Sequence, residues 1–574
     1  MKKEINKIIH AGREYAVLTV LVLFGICFVY QVWKMDIVNT PLCYTQDGIT
    51  TLVSQKCLIE EGGWTMTCSR LGAPYGQNTS DFTTATFLPV ILLKIGAILT
   101  DNWVWGLNLS YFIGYFIMAW ICYYILKKMH ISIVFAMVLA VLYVFLPFHM
   151  LRSTEHFALS FYALTPVSVY YVLIFMEADF RKWKEVPRHE KTEFIIWMIL
   201  VGMNGIYYSF FTCFLFCVAI LYNLLQKNGV QSIKKCFLGI GNIMVGVTLA
   251  SLPSFVYILR NGGNTETVHR LRSEIATYAL RVSQLLLPIT QHRIPLFAKI
   301  KEVYNNSFVP NENDSASLGI VFSVGFIILC IYLLIEKRRE NDIMGKLAAL
   351  NICMVVYASV GGLVEIQSII FKLIRCSNRI SVFIAFVCCI AVGVLLERLL
   401  GNKISGEKKI IIAVMVLILG MLDQTRPSYF EEGVREKMES ERIFIAAIES
   451  MEAESAMIFQ LPNVVYPEQG MKERMGDYSH FIGYLYSDTL RWSYGSMKGR
   501  EGSKLLEEIC KNDTPEMIAA MKKEGFDGIY IDRWGYKEEE VERLEREIQE
   551  ILKVSPIEGV KGRYAYYTFQ NGEW

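Results

Sequence analysis

The closing quarter of the chain contains no glycine-rich phosphate loop, no His or Cys set at metal-ligand spacing and no nucleophile elbow. Independent catalysis by that region is therefore not indicated. No internal repeat and no low-complexity tract occurs anywhere, which excludes a solenoid or a disordered array. Net charge is only +2, from 57 Lys and Arg against 55 Asp and Glu, and makes no case for nucleic acid. Charged residues amount to 20% and gather in loops and in the C-terminal quarter, while 53% of residues are hydrophobic. That division reads as a polytopic membrane protein with a soluble appendage.

About eleven apolar stretches are long enough to cross a bilayer. We read them as 15–33, 104–126, 131–148, 158–176, 194–209, 210–226, 236–259, 318–335, 347–363, 380–396 and 410–421. Lys2, Lys3, Lys7 and Arg13 precede the first and place the N-terminus in the cytoplasm. Alternate connectors then carry the basic residues: Lys127 and Lys128; Arg181, Lys182, Lys184, Arg188 and Lys191; Lys227, Lys234 and Lys235; Lys337, Arg338 and Arg339; Arg398, Lys403, Lys408 and Lys409. The stretch 82–100 holds Pro89 and Lys94, and counting it as a span would invert every later loop, so it reads as an interfacial helix. The first apolar stretch is too long for a signal-peptide core and has no small-residue cleavage site, so it is expected to stay as a helix.

This gives a membrane region over 1–422 with outer loops 34–103 and 260–317, a charged linker over 423–454, and an α/β domain over 455–574 outside the membrane. Within the last, 456–461, 528–531 and 564–569 read as strands, and 515–524 and 538–552 as helices. Of 14 cysteines most lie in spans as small hydrophobes; the spacing of Cys57 and Cys68 allows a bridge without fixing one.

Candidate chemistry collects in the connectors expected outside. Asp47, followed by Gly48, reads as a carboxylate on a tight turn, able to act as general base or to hold a divalent cation. His149, Arg152, Glu155 and His156 put four titratable groups into eight residues between the third and fourth spans, where Arg152 suits a phosphate and Glu155 or His156 a proton. Tyr207 and Tyr208 fall on the same face and offer rings for anchoring or for stacking on a sugar. The connector 260–317, with His269, Arg270, Arg272, Arg281 and Arg293 among its basic residues, suits an anionic headgroup. Lys372, Arg375 and Arg379 precede the tenth span, the two arginines spaced to grip one phosphate. Trp492 and Tyr494, beside Arg491, combine aromatic faces with a guanidinium as carbohydrate contacts do.

The many-span plan, with an acidic residue in the first outer loop and a soluble domain after the last span, resembles the GT-C class of membrane glycosyltransferases. The stretches LRSTEHFALSFYALTPV (151–167), GIYYSFF (205–211), IRCSNRISVFIAF (374–386) and LRWSYGSMKGR (490–500) are similar to a bacterial subgroup found with envelope-polysaccharide assembly. The resemblance implies transfer of a sugar from a polyprenyl-phosphate carrier to a glycan or lipid acceptor outside the cytoplasmic membrane, with Asp47 as base and Arg375, Arg379 and Arg152 toward the phosphate. Its alternatives are a lipid-linked sugar translocase and a non-catalytic envelope-assembly protein. Only Asn108, Asn204, Asn242 and Asn351 bring polarity to mid-span, and no repeat is present, which favours the transferase. The clustered metal ligands of a phosphoglycerol transferase are missing. Asp47 has no paired Asp beside it, which leaves cation dependence open.

Overall fold

A computed structural model of the chain describes residues 2–63, 67–82, 85–177, 185–226, 230–267, 270–335, 342–401 and 403–570, with the backbone alone for 2–11 and 230. The side chains of Lys2, Lys3 and Lys7, and residues Arg181, Lys182, Lys184, Lys227, His269, Lys337, Arg338 and Arg339, lie outside that description. Helices stand at each apolar stretch read as a span. Among the described residues six are long and apolar enough to cross a bilayer, including Gly12–Tyr30 within α1 (Lys2–Tyr30), Trp103–Lys128 (α4) and Ser377–Leu400. The others, such as Thr165–Phe175 and Ile343–Ala358, are shorter.

Several boundaries differ from the sequence reading, each for a local reason. The stretch 158–176 is not one helix: a four-residue helix Phe157–Ser160 stops, and Thr165–Phe175 starts with Pro166 in its first turn, where the missing N–H costs nothing. The break inside 194–226 falls at Asn204–Gly205 and not after Ser209, because Gly205 takes φ +124°, a conformation other residues resist. The helices Arg188–Met203 and Val230–Asn261 cross at Gly202 and Gly246, where an added Cβ would stand 2.2 Å from the Ile243 carbonyl oxygen and 2.1 Å from that of Ile199. Small residues at such a crossing let two membrane helices touch backbone to backbone.

The loop after the first membrane helix carries two helices, α2 (Gln46–Glu60) and α3 (Phe87–Leu99). Thirteen residues give α3 roughly 20 Å, a length shared with the other shorter apolar helices. It lies against α2, where the Lys94 ammonium donates to the carbonyl of Gly62 at 2.6 Å, and against α4, where Gly96 meets Gly106. Between the helices Thr67–Cys68 (β1) and Gln77–Asn78 (β2) form an antiparallel ribbon. Cys57 and Cys68 are both buried free thiols and are not bridged.

Beyond the last membrane helix a five-stranded sheet forms in the order β4 (Arg491–Trp492), β3 (Met457–Leu461), β5 (Gly528–Asp532), β7 (Tyr564–Thr568), β6 (Ile557–Gly559). Strands β4, β3 and β5 are parallel, and β7 and β6 join antiparallel. The charged segment read as a linker contains a helix, Val434–Met451, with Phe444, Ile445 and Ile448 buried. Its charges sit at helical spacing opposite this apolar stripe, so charge density alone did not reveal it.

This sheet continues into the loop that carries α2 and α3. Leu71 bridges Trp492 in parallel, with Trp492 donating to the Arg70 carbonyl and Ala73 donating to the Trp492 carbonyl. The Lys56 ammonium, buried, donates to the carbonyls of Tyr484, Leu485 and Ser487 at 3.0, 3.0 and 2.8 Å. Loop and sheet are thereby one body.

Candidate functional site

Asp47 lies in the first turn of α2 and not on a free turn. Gly48 is required there by packing, since a Cβ would come within 2.8 Å of the Cys43 sulfur. Thr50 and Thr51 donate to the Asp47 carbonyl, and Thr51 also reaches the Glu155 carbonyl, tying α2 to the connector after Pro147–Arg152. The consequence is a cluster: the His156 Nε2 stands 3.7 Å from an Asp47 carboxylate oxygen, and ligand atoms of Asp47, Glu155 and His156 all fall within 4.8 Å of one another.

These three groups line a cavity of about 860 Å³ that also receives Arg152, Tyr207, Arg375 and Arg379. The long connector 260–317 contributes Arg270, Glu312 and Asp314, and the C-terminal domain contributes Tyr466, Glu468 and Tyr478. Four of its guanidiniums are neutralised in place. Arg152 pairs with Glu312, Arg270 grips Glu468 through two bonds of 2.6 and 3.1 Å, Arg375 meets Glu274 at 2.7 Å, and Arg426 meets Asp314 at 3.0 Å. Arg379 is the exception. Its guanidinium stacks 4.2 Å above the Tyr207 ring, its Nε is buried without a hydrogen-bond partner, and among the described residues no carboxylate pairs with it. A charge left so invites an anion.

The acidic cluster is equally unbalanced. Burial, with Asp477, Glu468 and Glu312 nearby, raises the Asp47 carboxyl to about 6 against the pull of Arg379. Burial and the adjoining Asp47 raise Glu155 to about 7. Burial, then Arg152 and Arg379, lower His156 to about 3, so its imidazole is neutral at physiological pH. Two carboxylates on the edge of ionisation and a neutral imidazole with an unpartnered Nδ1 form a donor set that fits a hard divalent cation.

Other residues singled out in the sequence are elsewhere. Arg293 does not line the cavity; it donates to the Thr425 hydroxyl at 2.8 Å and lies over Phe28. Tyr208 is buried and spends its hydroxyl on the Leu159 carbonyl, leaving no ring face for a sugar. Trp492 is fully buried at the β4 edge with its indole donating to Ser487 at 2.8 Å, and Tyr494 is buried with its hydroxyl on the Asp477 carbonyl. Both serve the core of the sheet. His149 is buried too, stacked at 4.6 Å on Tyr111 and bonded to the Ser160 carbonyl. Sequence reasoning missed Glu312, Asp314, Arg426, Glu468, Tyr466 and Tyr478; the run Asn311–Asp314 was the one local hint, acidic residues in a connector read as basic.

No family model matches the chain, and no curated protein matches it. Solved structures do. ArnT from Cupriavidus metallidurans in the apo state superposes with a TM-score of 0.51 at 10% identity, over 97% of this chain and 98% of that one. The arabinofuranosyltransferase AftD from Mycobacteria gives 0.50 at 11% identity, over 91% of this chain and 35% of that one. The oligosaccharyltransferase of Archaeoglobus fulgidus gives 0.44 at 11% identity, over 90% and 69%. At these identities the likeness is one of fold, and the fold is that of the GT-C proteins, as the plan of the sequence led us to expect.

Proposed function

We propose that this GT-C-fold chain is a membrane glycosyltransferase that moves a sugar from a polyprenyl-phosphate carrier to an envelope glycan or lipid acceptor at the outer face of the bacterial cytoplasmic membrane. The observation that carries the reading is the pairing of opposites in one cavity: Asp47, Glu155 and His156 on one wall, and the single uncompensated guanidinium, Arg379, on another. Lipid-linked sugar transfer needs those two things, a proton acceptor for the incoming hydroxyl and a cation for the departing phosphate.

In this reaction the acceptor hydroxyl gives its proton to the Asp47 carboxylate, and its oxygen forms the new bond to the anomeric carbon. The old bond to the phosphate oxygen breaks, and the electron pair leaves with the polyprenyl phosphate, held by Arg379. Tyr207 beneath the guanidinium fixes its plane. A divalent cation held by Asp47, Glu155 and His156 would supply positive charge against the negative charge that the leaving phosphate develops. The outward placement is supported by the helices. Trp103, beside the first outer loop, starts α4, which ends in Lys127 and Lys128, and Arg379 precedes the helix Ser381–Leu400, which carries Arg398 near its other end. Site and basic residues thus lie at opposite ends of the bundle, the arrangement a cytoplasmic basic face requires.

Asp47→Asn should lower transfer from a polyprenyl-phosphate sugar by about 10² or more in purified protein, the usual worth of a general base, while donor binding persists. Transfer at the wild-type rate would remove the carboxylate from the reaction.

A further inference from the structure

A second cleft, of about 1470 Å³, opens on the far side of α2, between the start of α4, the helix Val434–Met451 and residues 485–488. Its chemistry differs from that of the first cavity. Trp103 and Tyr486, edge to face at 5.9 Å and both half-buried, stand at its wall. Asn39 and Asn102 meet amide to amide at 3.4 Å beside them. Every cation on the wall is already compensated: Arg442 by Glu439 at 2.9 and 2.7 Å, Arg435 by Asp36 at 3.5 Å, and Lys56 by its three carbonyls with Glu60 at 3.6 Å. Asp101 and Glu436 add negative charge. Such a surface repels phosphate, and it matches a neutral ligand rich in hydroxyls, whose C–H faces lie on aromatic rings while the carboxylates of Asp101, Glu436 and Asp488 take its hydroxyls; the two amides are spent on each other, on Asp36 and on the start of α4.

We propose that this cleft binds a neutral run of glycan and so holds a polymeric acceptor at a distance from the reacting end. The choice of ligand rests on the glycosyltransferase reading. The placement follows from α2, which has Asp47 in its first turn and Lys56, Ile59 and Glu60 at its other end against the cleft. Nine to thirteen residues of helix put the two sites roughly 14–20 Å apart, a span covered by a few linked pyranoses. Between them the Tyr44 hydroxyl joins Glu441 at 2.6 Å and Tyr486 at 2.7 Å, so the cleft wall and the catalytic turn share one scaffold. A chain anchored there would present its end repeatedly to the same cavity, which favours an acceptor that is itself a glycan over a lone lipid.

The test is calorimetric titration of the purified full chain with maltoheptaose, cellohexaose and chitohexaose, all neutral. At least one should bind, and Trp103→Ala should weaken it roughly tenfold, about 1.4 kcal/mol. Ser440→Trp places bulk in the cleft from an exposed helical position and should do the same without touching the core. Inorganic phosphate should not compete, and Asp47→Asn should bind as the wild type does. Absence of binding by all three at millimolar concentration, undiminished binding by Ser440→Trp, or competition by phosphate would overturn the proposal. Loss of sugar transfer in Asp47→Asn is read separately, so an inactive protein that still binds glycan, and an active one that does not, point to different errors.

Discussion

Glu155→Gln should make the protein more stable at neutral pH while impairing it. The Glu155 carboxyl titrates near 4.5 when unfolded and at about 7 in the folded cavity, where burial and Asp47 oppose its charge. The folded chain therefore holds this proton more tightly. The stability it brings is complete below pH 4.5 and is lost as the pH rises through about 7. A shift of about 2.5 units at 1.36 kcal/mol each is about 3 kcal/mol; solvent in the open cavity screens part of it, leaving about 1–2 kcal/mol. Glutamine has no proton to lose, so the advantage of the variant should be absent near pH 4.5 and grow to its full size by pH 8. Thermal unfolding in detergent should show a gap of roughly 1–4 °C opening over that range. Manganese or magnesium supplies the second arm. At ten times its dissociation constant a cation bound only by the folded protein adds about 1.4 kcal/mol, and protons should compete with it as the pH falls through about 7 and then 6, where Glu155 and Asp47 take them up. The wild type should gain that stability and Glu155→Gln should not. Melting curves of variant and wild type that run parallel from pH 4.5 to 8 would refute the electrostatic account, and equal cation responses would refute the ligand set.

Arg379→Ala should raise the donor concentration for half-maximal rate by about 10–100-fold, the worth of a charge-assisted hydrogen bond to phosphate, whereas Tyr207→Phe keeps the supporting ring and should change it under about threefold. Initial rates against donor concentration decide; equal effects would count against phosphate at Arg379. Lys56→Met leaves three buried carbonyls unpaired and should cost about 3 kcal/mol, seen as faster protease release of the C-terminal domain; unchanged cleavage would show that the tether is idle. Gly202→Leu drives a side chain into the Ile243 carbonyl and should separate two membrane helices, so that yield in detergent falls sharply; normal yield would contradict the close crossing.

The helices were legible because a bilayer imposes one rule on every span, a sustained run of apolar residues, and a sequence displays such runs directly. Helix ends were less so. Pro166 and Gly205 mark them, yet each is compatible with several boundaries until the neighbouring helix is in place. Asp47, Glu155, His156, Arg375 and Arg379 were visible as titratable groups near expected outer ends, and the structure draws them into one cavity. What the sequence concealed was compensation. Arg152 and Glu312 are 160 residues apart, and nothing local to either says that the pair is closed. Arg375 and Arg379 look equivalent in sequence; only folding gives one a carboxylate and the other none. Trp492 and Tyr494 failed for the converse reason, since an aromatic pair beside an arginine looks the same whether it faces solvent or a strand.

The strand-like union of Leu71 with Trp492 bears on how the molecule is made. More than four hundred residues separate those partners, so during synthesis the segment around Leu71 waits, its hydrogen-bonding edge bare, until nearly the whole polypeptide has followed. A product ending early, even one with every membrane helix inserted, would leave that edge open to aggregation and the helix bearing Asp47 without its anchor. Premature stop codons anywhere before residue 490 should therefore be null alleles, and quality control at the translocon has a defined surface to detect.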